Sequence, residues 1–475
     1  MRFEVIFKHL GIVLLFNAIF LFLAALISIY LKETSALALS YSALICFIFS
    51  VFPLVFSDKS TPIEFTEGLF IVVFGWLVTC LSGALPYIMW GGEFSIINAW
   101  FESVSGFTTT GSTILTEIES LPKGILFWRS STQWIGGLGI IIFVLAILPK
   151  TSSSSIYNAE VSSITKMNFP FNNKKLLQAL ILVYVGLTLA QSVSLTFAGM
   201  SLYDAINHSF TTISTGGFST KNNSIAWYQN LWIELIIVVF MVLSALHFGL
   251  IYGTFTRKHN NLFRSDIVRA LLFIWLASTL IIAGKLTWEG SYSFWSALRH
   301  ALFQVTSLGS NTGFATVDTV QWPFFTQLLL LYLMFQTGMS GSTSGGLKFD
   351  RIFIFFKIVQ KQIRSLQHPR GIFTIKISGQ RIDEKLEQQT MVFLLLYIFI
   401  FSASSFILSL MNIDGMTAFS ASITAISNCG PGFGEVGSMG NFAGVPDLGK
   451  FVLTINMLLG RLEVMNVLAL FVLRR

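Results

Sequence analysis

Ten apolar segments of about 20 residues or more recur along the chain of 475 residues, and they limit its possible folds more than any other feature. About 20 apolar residues in a helix cross the hydrocarbon core of a bilayer, so each segment has the length of one crossing. The segments are residues 9–31, 36–56, 67–90, 124–148, 176–199, 229–254, 268–287, 324–356, 389–411 and 446–472. Helical crossings satisfy their own backbone hydrogen bonds, and the pattern predicts an all-α polytopic membrane protein.

The composition agrees with this class of protein. Hydrophobic residues make up 53% of the chain and charged residues 11%, whereas a soluble domain carries about 25% charge. The first segment exceeds the core of a signal peptide and no small-residue cleavage site follows it, so we expect it to remain as the first span. Cys46, Cys80 and Cys429 are scattered in apolar surroundings, which indicates neither a disulfide framework nor a metal site.

The net charge of +7 comes from loops between the predicted spans and does not indicate a nucleic-acid-binding surface. Lys and Arg cluster after the fourth, sixth, eighth and tenth spans, at 150–175, 257–264, 357–385 and 474–475. The positive-inside rule places these clusters, and with them both termini, in the cytoplasm. The shorter, mixed segments between the other spans therefore enter the membrane from the outside.

Four mixed segments follow the third, fifth, seventh and ninth spans, and they align without a gap. They read AWFESVSGFTTTG, AINHSFTTISTGG, ALFQVTSLGSNTG and AFSASITAISNCG, and they end at Gly111, Gly217, Gly313 and Gly430. Each begins with an alanine, at Ala99, Ala205, Ala301 and Ala418. Six positions before the glycine stands a hydroxyl residue, at Ser105, Thr211, Ser307 and Thr424. Because the glycines lie roughly 100 residues apart, the repeat unit is a span, a mixed segment and a second span.

Each mixed segment is predicted to be a half-helix, starting at the alanine, followed by an extended stretch. Irregular backbone at membrane depth persists only where protein buries it or where it lines a wet cavity. Glycine allows carbonyl oxygens to turn toward an axis, and four such stretches form rings of oxygens that replace the water shell of a cation. A half-helix that enters from outside ends with its partly negative C-terminus at that axis. The extended stretches contain neither Asp nor Glu, which favours carbonyl groups over a ring of carboxylates.

The sequence therefore predicts a fourfold selectivity filter for a cation. Its candidate residues are Thr109, Thr110, Gly111, Ser214, Thr215, Gly216, Gly217, Asn311, Thr312, Gly313, Asn428, Cys429 and Gly430. The alternative is that these segments are outward loops or packing faces, because small residues are common between membrane helices. One segment alone would not decide between the two, but four in register favour the filter.

The fourfold repeat and the stretches TTTG, TGGF, NTGF and NCGPG resemble the TrkH/KtrB superfamily of potassium-translocating membrane subunits over nearly the whole chain. Two additional spans before the repeats make the chain more similar to TrkH than to KtrB. The resemblance implies a pseudo-fourfold pore that binds and carries K+, without an organic cofactor. It also implies a homodimer in the bacterial cytoplasmic membrane, regulated by a cytoplasmic TrkA-type protein that binds nucleotides. Cys429 departs from the aliphatic residue expected before the fourth glycine, but a backbone carbonyl coordinates whatever its side chain.

The predicted organisation has six parts. Residues 1–65 form two N-terminal transmembrane helices, 66–150 the first repeat, 151–258 the second, 259–358 the third, 359–387 a basic cytoplasmic linker and 388–475 the fourth repeat. The linker is longer than a connection between adjacent spans needs. We expect the segment 357–387, together with the loop around Arg257–Arg264, to receive the cytoplasmic regulator.

The eighth span contains QTGMSGSTSGGLK, residues 336–348, in which glycines weaken the helix. A straight helix over this span would be about 50 Å long, against a hydrocarbon core of about 30 Å. Each glycine costs a helix about 1 kcal/mol relative to alanine. We expect a break at Gly338, Gly341, Gly345 and Gly346 that leaves a loop below the filter, and the resemblance implies that this loop is a gate. The alternative is a packing seam of small residues, and we expect Lys348 to face the cytoplasmic mouth.

Arg461 lies midway along the tenth span, where a charge costs at least about 2.5–3.5 kcal/mol. A cation beneath a cation filter would raise the barrier to passage, and the resemblance places an arginine of this helix beside the gating loop. The alternative is a structural arginine buried against carbonyl groups or Glu463. Glu102, His208 and His247 are expected to be satisfied interior polar groups.

Other classes of function fit less well. The chain has no HExxH motif, no G-x-S-x-G on a suitable turn and no paired aspartates in spans, so it is not predicted to be an enzyme. A scaffold would have no reason for four matched segments. A sodium- or proton-coupled cation symporter with the same filter is the alternative, because inverted-repeat transporters also carry broken helices at the midplane. All four units run in the same direction, which favours a central pore.

Overall fold

The computed structural model describes residues 2–56, 65–147, 173–256 and 262–472. Within these ranges the chain is helical apart from loops and one hairpin of two short antiparallel strands, β1 (Lys376–Ile377) and β2 (Gln380–Arg381). Six of the basic residues used to predict topology lie outside the described residues: Lys150, Lys166, Arg257, Lys258, Arg474 and Arg475.

The helices follow the predicted order. Two N-terminal helices, α1 (Phe3–Tyr30) and α2 (Ala36–Phe56), precede the repeats. The first repeat is α3 (Phe65–Trp90), α4 (Ile96–Phe107) and α5 (Lys123–Ile147). The second is α6 (Asn173–Phe197), α7 (Leu202–Ile213), α8 (Leu231–Ala245) and α9 (Phe248–Phe255). The third is α10 (Asp266–Trp288), α11 (Phe294–Gly309), α12 (Phe324–Gln336) and α13 (Phe349–Gln367). The fourth is α14 (Glu384–Leu410), α15 (Gly415–Ser427), α16 (Asp447–Leu462) and α17 (Val464–Val472).

The half-helices are α4, α7, α11 and α15, and all four begin earlier than the alanines from which the sequence predicted them. For three of them, α4, α7 and α15, the reason is local capping. Ser95, Ser201 and Asp414 each accept a hydrogen bond from a backbone N–H in the first turn of the following helix. The alanines lie inside the helices and are buried, at Ala99, Ala205, Ala301 and Ala418.

The four repeats close into a ring. Each half-helix packs between the two spans of its own repeat and against the second span of the preceding repeat. Thus α7 contacts α5, α11 contacts α8, α15 contacts α12, and α4 contacts α16. The last contact joins the fourth repeat to the first, so the half-helices surround one axis. This pseudo-fourfold arrangement behind two N-terminal helices confirms the predicted fold class.

The first spans of the repeats are continuous. Among the described residues, six helices are long and apolar enough to cross a membrane: α1, α2, α3, α6, α10 and α14. They correspond to the first, second, third, fifth, seventh and ninth predicted spans.

The second spans of the second, third and fourth repeats are broken. The prediction of a continuous sixth span is wrong, because α8 and α9 meet at 104°. The side chain of His247 accepts a hydrogen bond from the N–H of Gly249 at 3.0 Å and so starts a new helix after the bend. The prediction of a continuous tenth span is also wrong, since Glu463 has a left-handed backbone, with φ +59°, between α16 and α17. The predicted break of the eighth span is confirmed by the end of α12 at Gln336 and the start of α13 at Phe349.

The N-terminal pair of helices is fastened to the first repeat at both ends. Helix α1 packs against α2, α3 and α5. The Glu33 carboxylate accepts hydrogen bonds from the N–H groups of Lys123 and Gly124 at 2.8 and 3.0 Å, at the positive N-terminal end of α5. Arg2 pairs with the buried Glu67 of α3 at 2.7 Å.

The predicted cytoplasmic linker contains ordered structure. Helix α13 continues past the predicted end of the eighth span to Gln367, and the β-hairpin follows. The N–H of Ser378 in the hairpin donates to the Asp266 carboxylate of α10 at 2.8 Å, and Lys361 pairs with Glu387 at 2.8 Å. The linker therefore folds back on the third repeat. The five predicted domain boundaries stay predictions, and two of them fall in the undescribed ranges 148–172 and 257–261.

Candidate ion-conduction site

The four candidate filter segments share one backbone conformation. The glycines have positive φ, with Gly111 at 86°, Gly217 at 75°, Gly313 at 80° and Gly430 at 96°. The residues two positions earlier are also left-handed, with Thr109 at 56°, Thr215 at 55°, Asn311 at 67° and Asn428 at 58°. Residues other than glycine rarely adopt positive φ, so the recurrence of this conformation in one column means that the packing imposes it.

One hydrogen bond also recurs in all four segments. The N–H of the residue before the glycine donates to the carbonyl of the hydroxyl residue that stands six positions before the glycine. The pairs are Thr110 to Ser105 at 2.9 Å, Gly216 to Thr211 at 2.8 Å, Thr312 to Ser307 at 2.9 Å and Cys429 to Thr424 at 3.0 Å. The gapless alignment of the sequence therefore corresponds to one repeated loop geometry.

The glycines bring the segments together in a ring. A Cβ added at Gly111 would collide with the carbonyl of Gly216, one at Gly217 with that of Thr312, one at Gly313 with that of Cys429, and one at Gly430 with that of Thr110. Each carbonyl belongs to the residue before the glycine of another repeat, and the last contact returns to the first repeat. The four segments thus form a closed ring of backbone carbonyl groups, which we call the carbonyl ring, and no side chain fits at its glycines.

The carbonyl ring borders a cavity of about 540 Å³ that all four repeats share. The four ring glycines line it together with the residues that follow them, including Ser112, Phe218 and Pro431. The loop 436–440 and Arg129 also line it. We call this cavity the vestibule, and the predicted topology would put it on the outer side of the membrane.

Two polar residues of α5 hold the segments, and sequence reasoning missed both. The Gln133 amide donates to the carbonyl of Gly216 at 2.7 Å and accepts from the N–H of Phe218 at 3.0 Å. Arg129 forms a buried ion pair with Glu102 of α4 at 2.7 Å. The available signal was the polar run RSSTQ inside an apolar span.

The interior polar residues are satisfied as expected. The Glu102 carboxylate accepts a hydrogen bond from the N–H of Ile114 at 3.1 Å, besides its ion pair. The ring nitrogens of His208 lie 2.8 Å from the carbonyl oxygen of Asp204 and 3.1 Å from the hydroxyl of Ser219.

The break in the eighth span produces a largely buried loop, residues 337–348, which we call the glycine-rich loop. Gly338 and Gly341 pack on the bend between α8 and α9, where added Cβ atoms would lie 3.0 Å from the carbonyl oxygen of Ala245 and 2.6 Å from the His247 ring. Gly345 and Gly346 pack on the inner end of α15. The glycines therefore both break the helix and allow close packing, so the loop combines the two alternatives that the sequence left open.

The same loop binds the inner ends of two more half-helices. The Thr343 hydroxyl donates to the carbonyl of Ile213, the last residue of α7, at 2.8 Å. The Ser344 hydroxyl donates to the carbonyl of Ser310, the first residue after α11, at 2.9 Å. Sequence reasoning did not single out these hydroxyls. They place the loop on the side of the carbonyl ring opposite the vestibule.

Arg461 lies beside the glycine-rich loop and is 4% exposed. Its guanidinium donates to the carbonyl of Thr343 at 2.6 Å and to the carbonyl of Gly136 in α5 at 2.7 Å. Glu463 pairs instead with Arg351, at 2.9 Å. The arginine thus both borders the loop and binds carbonyl groups.

The prediction that Lys348 faces the cytoplasmic mouth stays a prediction. The Lys348 ammonium turns back and donates to the carbonyl of Ser344 within the loop. The physical reason is that a broken helix leaves carbonyl groups without their usual N–H partners, and a nearby ammonium satisfies one of them.

A closed fourfold ring of backbone carbonyl groups inside a polytopic helical bundle defines a membrane ion-transport protein. The chain belongs to the TrkH family of cation transport proteins, whose family model matches residues 38–474. It is similar to the Trk system potassium uptake protein TrkH of Salmonella typhimurium, at 36% identity over 411 residues that cover 85% of each chain. It is 34% identical to the Vibrio parahaemolyticus protein of the same name, over 94% of this chain and 96% of that relative.

A solved structure agrees with these sequence matches. The crystal structure of the potassium transporter TrkH from Vibrio parahaemolyticus matches with a TM-score of 0.88 at 32% identity, covering 99% of this chain and 98% of that chain. The predicted family is confirmed. Because these relatives are transport proteins, the prediction that the chain is not an enzyme is confirmed as well.

Proposed function

We propose that this protein carries K+ into the cell across the bacterial cytoplasmic membrane, through a central pore whose selectivity filter is the carbonyl ring. One observation carries the proposal: each ring glycine touches the carbonyl of another repeat in a cycle that closes on itself. The proposed filter consists of the thirteen residues predicted from the sequence. The similar Trk system proteins are named as potassium uptake proteins, which supports K+ as the transported ion.

The chemistry of the ring suits a monovalent cation. Carbonyl oxygens carry partial negative charge and replace the water shell of K+ without the strong field of a carboxylate. The left-handed residues at alternate positions, such as Thr109 and Gly111, support an arrangement in which successive carbonyls face the same side. The half-helices end at the ring, so their C-terminal dipoles add to the attraction for a cation.

The glycine-rich loop, with Arg461 and Lys348, is proposed to be the gate. Its residues bind the inner ends of three half-helices, which supports a position in the path below the filter. Two cationic side chains there oppose the passage of another cation, and the opposition is strong because water is excluded. Movement of the loop would open the path and remove both charges from it.

The regulator is proposed to act through α13. This helix begins where the glycine-rich loop ends, and Arg364 and Arg370 are exposed at its far end and just beyond it. A cytoplasmic TrkA-type nucleotide-binding protein that docks there would pull on the loop without touching the filter. The proposed assembly is a multi-pass homodimer in the inner membrane, with both termini in the cytoplasm.

Flux through the purified protein in liposomes tests the proposal. We expect K+ and Rb+ to pass and Na+ to be excluded. A potassium-uptake-deficient cell that expresses the chain should regain growth at low K+, and more so with the regulator. Equal flux of Na+ and K+ would refute the filter, whereas strict dependence on a sodium or proton gradient would make the protein a symporter.

A further inference from the structure

The second filter segment differs from the other three in the residue before its ring glycine. The other segments carry a side chain there, at Thr110, Thr312 and Cys429, whereas the second segment carries Gly216. Those three side chains are buried behind the ring. Each of them bonds a neighbour: Thr110 the amide of Asn428 at 2.9 Å, Thr312 the hydroxyl of Ser310 at 2.8 Å, and Cys429 the carbonyl of Leu308 at 3.6 Å. The second segment supplies no such contact of its own.

Gln133 fills the position that the missing side chain leaves. A Cβ added at Gly216 would lie 2.8 Å from Nε2 of Gln133 and closer still to other atoms of the same amide. Since φ at Gly216 is not positive, the backbone would tolerate a side chain, and the three atoms nearest to an added Cβ all belong to Gln133. Gly216 of the second repeat and Gln133 of the first repeat are therefore complementary: Gly216 has no side chain, and the amide of Gln133 occupies the space beside it.

The close approach of α5 makes this contact possible. Gly137, one turn beyond Gln133, lies against Ser214, where an added Cβ would be 2.8 Å from the Cβ of Ser214. The helix thus lies directly on the second filter segment. Gln133 is fully buried, so its amide is held without competition from solvent.

The amide of Gln133 binds one of the oxygens of the carbonyl ring, that of Gly216. Nε2 donates to the carbonyl of Gly216 at 2.7 Å, and Oε1 accepts from the N–H of Phe218 at 3.0 Å. These two groups flank Gly217. The Gly216 carbonyl is also the one that meets Gly111 in the carbonyl ring. A donor on this oxygen withdraws electron density from it and fixes its direction, which weakens the field that a cation experiences from that quarter of the ring.

We infer that Gln133 is a specificity-determining residue of the filter. By weakening and fixing one ring carbonyl, it favours the larger K+ over Na+, because a weaker field repays the dehydration of Na+ less completely. The inference rests on the proposed function. It assigns a role in selectivity to a residue outside the filter segments.

The variant Gln133→Met tests this role, because it keeps the volume of the side chain and removes its hydrogen bonds. We expect the K+/Na+ flux ratio in liposomes to fall about three- to tenfold, the amount that one hydrogen bond represents. The matched control is Gln191→Met. Gln191 is also fully buried, and its amide has no hydrogen-bond partner among the described residues, so its replacement should leave the ratio at the wild-type value.

An exchange of the pair distinguishes a role in selectivity from a role in folding. Gly216→Thr alone collides with Gln133, and we expect it to lower both flux and selectivity. Gln133→Ala combined with Gly216→Thr removes the collision but supplies no donor to the carbonyl of residue 216, so we expect flux to recover while the K+/Na+ ratio stays as low as in Gln133→Met. A wild-type ratio in Gln133→Met or in the double variant overturns the inference. A wild-type protein that does not prefer K+ overturns the proposed function instead.

Discussion

Replacement of Arg461 tests whether the barrier to ions below the filter comes from the positive charge of this residue or from the hydrogen bonds by which it holds the glycine-rich loop in place. The guanidinium joins the glycine-rich loop, through the carbonyl of Thr343, to helix α5, through the carbonyl of Gly136. A hydrogen bond from a charged donor contributes about 1.5–3 kcal/mol, so the two together hold the loop by about 3–6 kcal/mol. Each 1.4 kcal/mol is a factor of ten, and Arg461→Ala should therefore raise the population with a displaced loop by at least about 100-fold.

The assay is K+ flux in liposomes without the regulator, and Arg461→Lys separates the two accounts. Lysine keeps the positive charge, but its single ammonium cannot span both carbonyl groups. We expect basal flux to rise in the order wild type, Arg461→Lys, Arg461→Ala. The control is Arg299→Lys, since Arg299 binds Glu234 away from the loop and its replacement should leave flux unchanged. If the basal flux of Arg461→Lys equals that of the wild type, the barrier is electrostatic, and the explanation by hydrogen bonds to the loop is refuted.

Three further changes test other parts of the molecule. Gly111→Ser should lower the K+/Na+ flux ratio about tenfold or more, because the serine side chain must enter the carbonyl ring. The control Gly284→Ser places its side chain in open space and should leave the ratio unchanged. An unchanged ratio in Gly111→Ser would remove this segment from the filter. Charge reversal at Arg364 and Arg370 to Glu should weaken co-purification with the cytoplasmic regulator and reduce the nucleotide response while basal selectivity stays intact, and full binding would move the docking site elsewhere. Glu102→Gln leaves the buried Arg129 without its counter-charge and should lower the free energy of unfolding by about 3–5 kcal/mol. The measurement is the thermal unfolding midpoint, which should fall. An unchanged midpoint would contradict this role of the ion pair.

The fourfold architecture was predictable because its signal is repeated. The spans are marked by length and hydrophobicity, and the ring is marked by one glycine in each repeat. Gly111 and its three counterparts stand where the backbone is left-handed and a Cβ has no room, so no other residue satisfies the position. A requirement of that kind is visible in the sequence as a fixed residue at a fixed spacing.

The unpredicted features depend on contacts between distant residues. The bend after α8 occurs at His247, which caps α9 and packs against Gly341 of another repeat. Glu463 interrupts the tenth span and pairs with Arg351, which is distant in sequence. Gln133 looked like one polar residue among several in its span, since its role depends on the absence of a side chain at Gly216. The structural role of each of these residues can be recognised only when its partner in the fold is known.

The junction between the fourth and first repeats has a consequence for how the protein is made. The Ser112 hydroxyl bonds the carbonyl of Gly430 across 318 residues of sequence, and the Trp100 indole bonds Thr454 across 354. A ribosome adds roughly 5–20 residues per second, so the 117 residues that follow the third repeat take about 6–23 seconds to synthesise after the first three repeats are made. Until then the nascent chain contains only three of the four filter segments, and the carbonyl ring is not closed. When the fourth repeat closes the ring, the glycine-rich loop that we propose as the gate has already been synthesised, because it belongs to the third repeat.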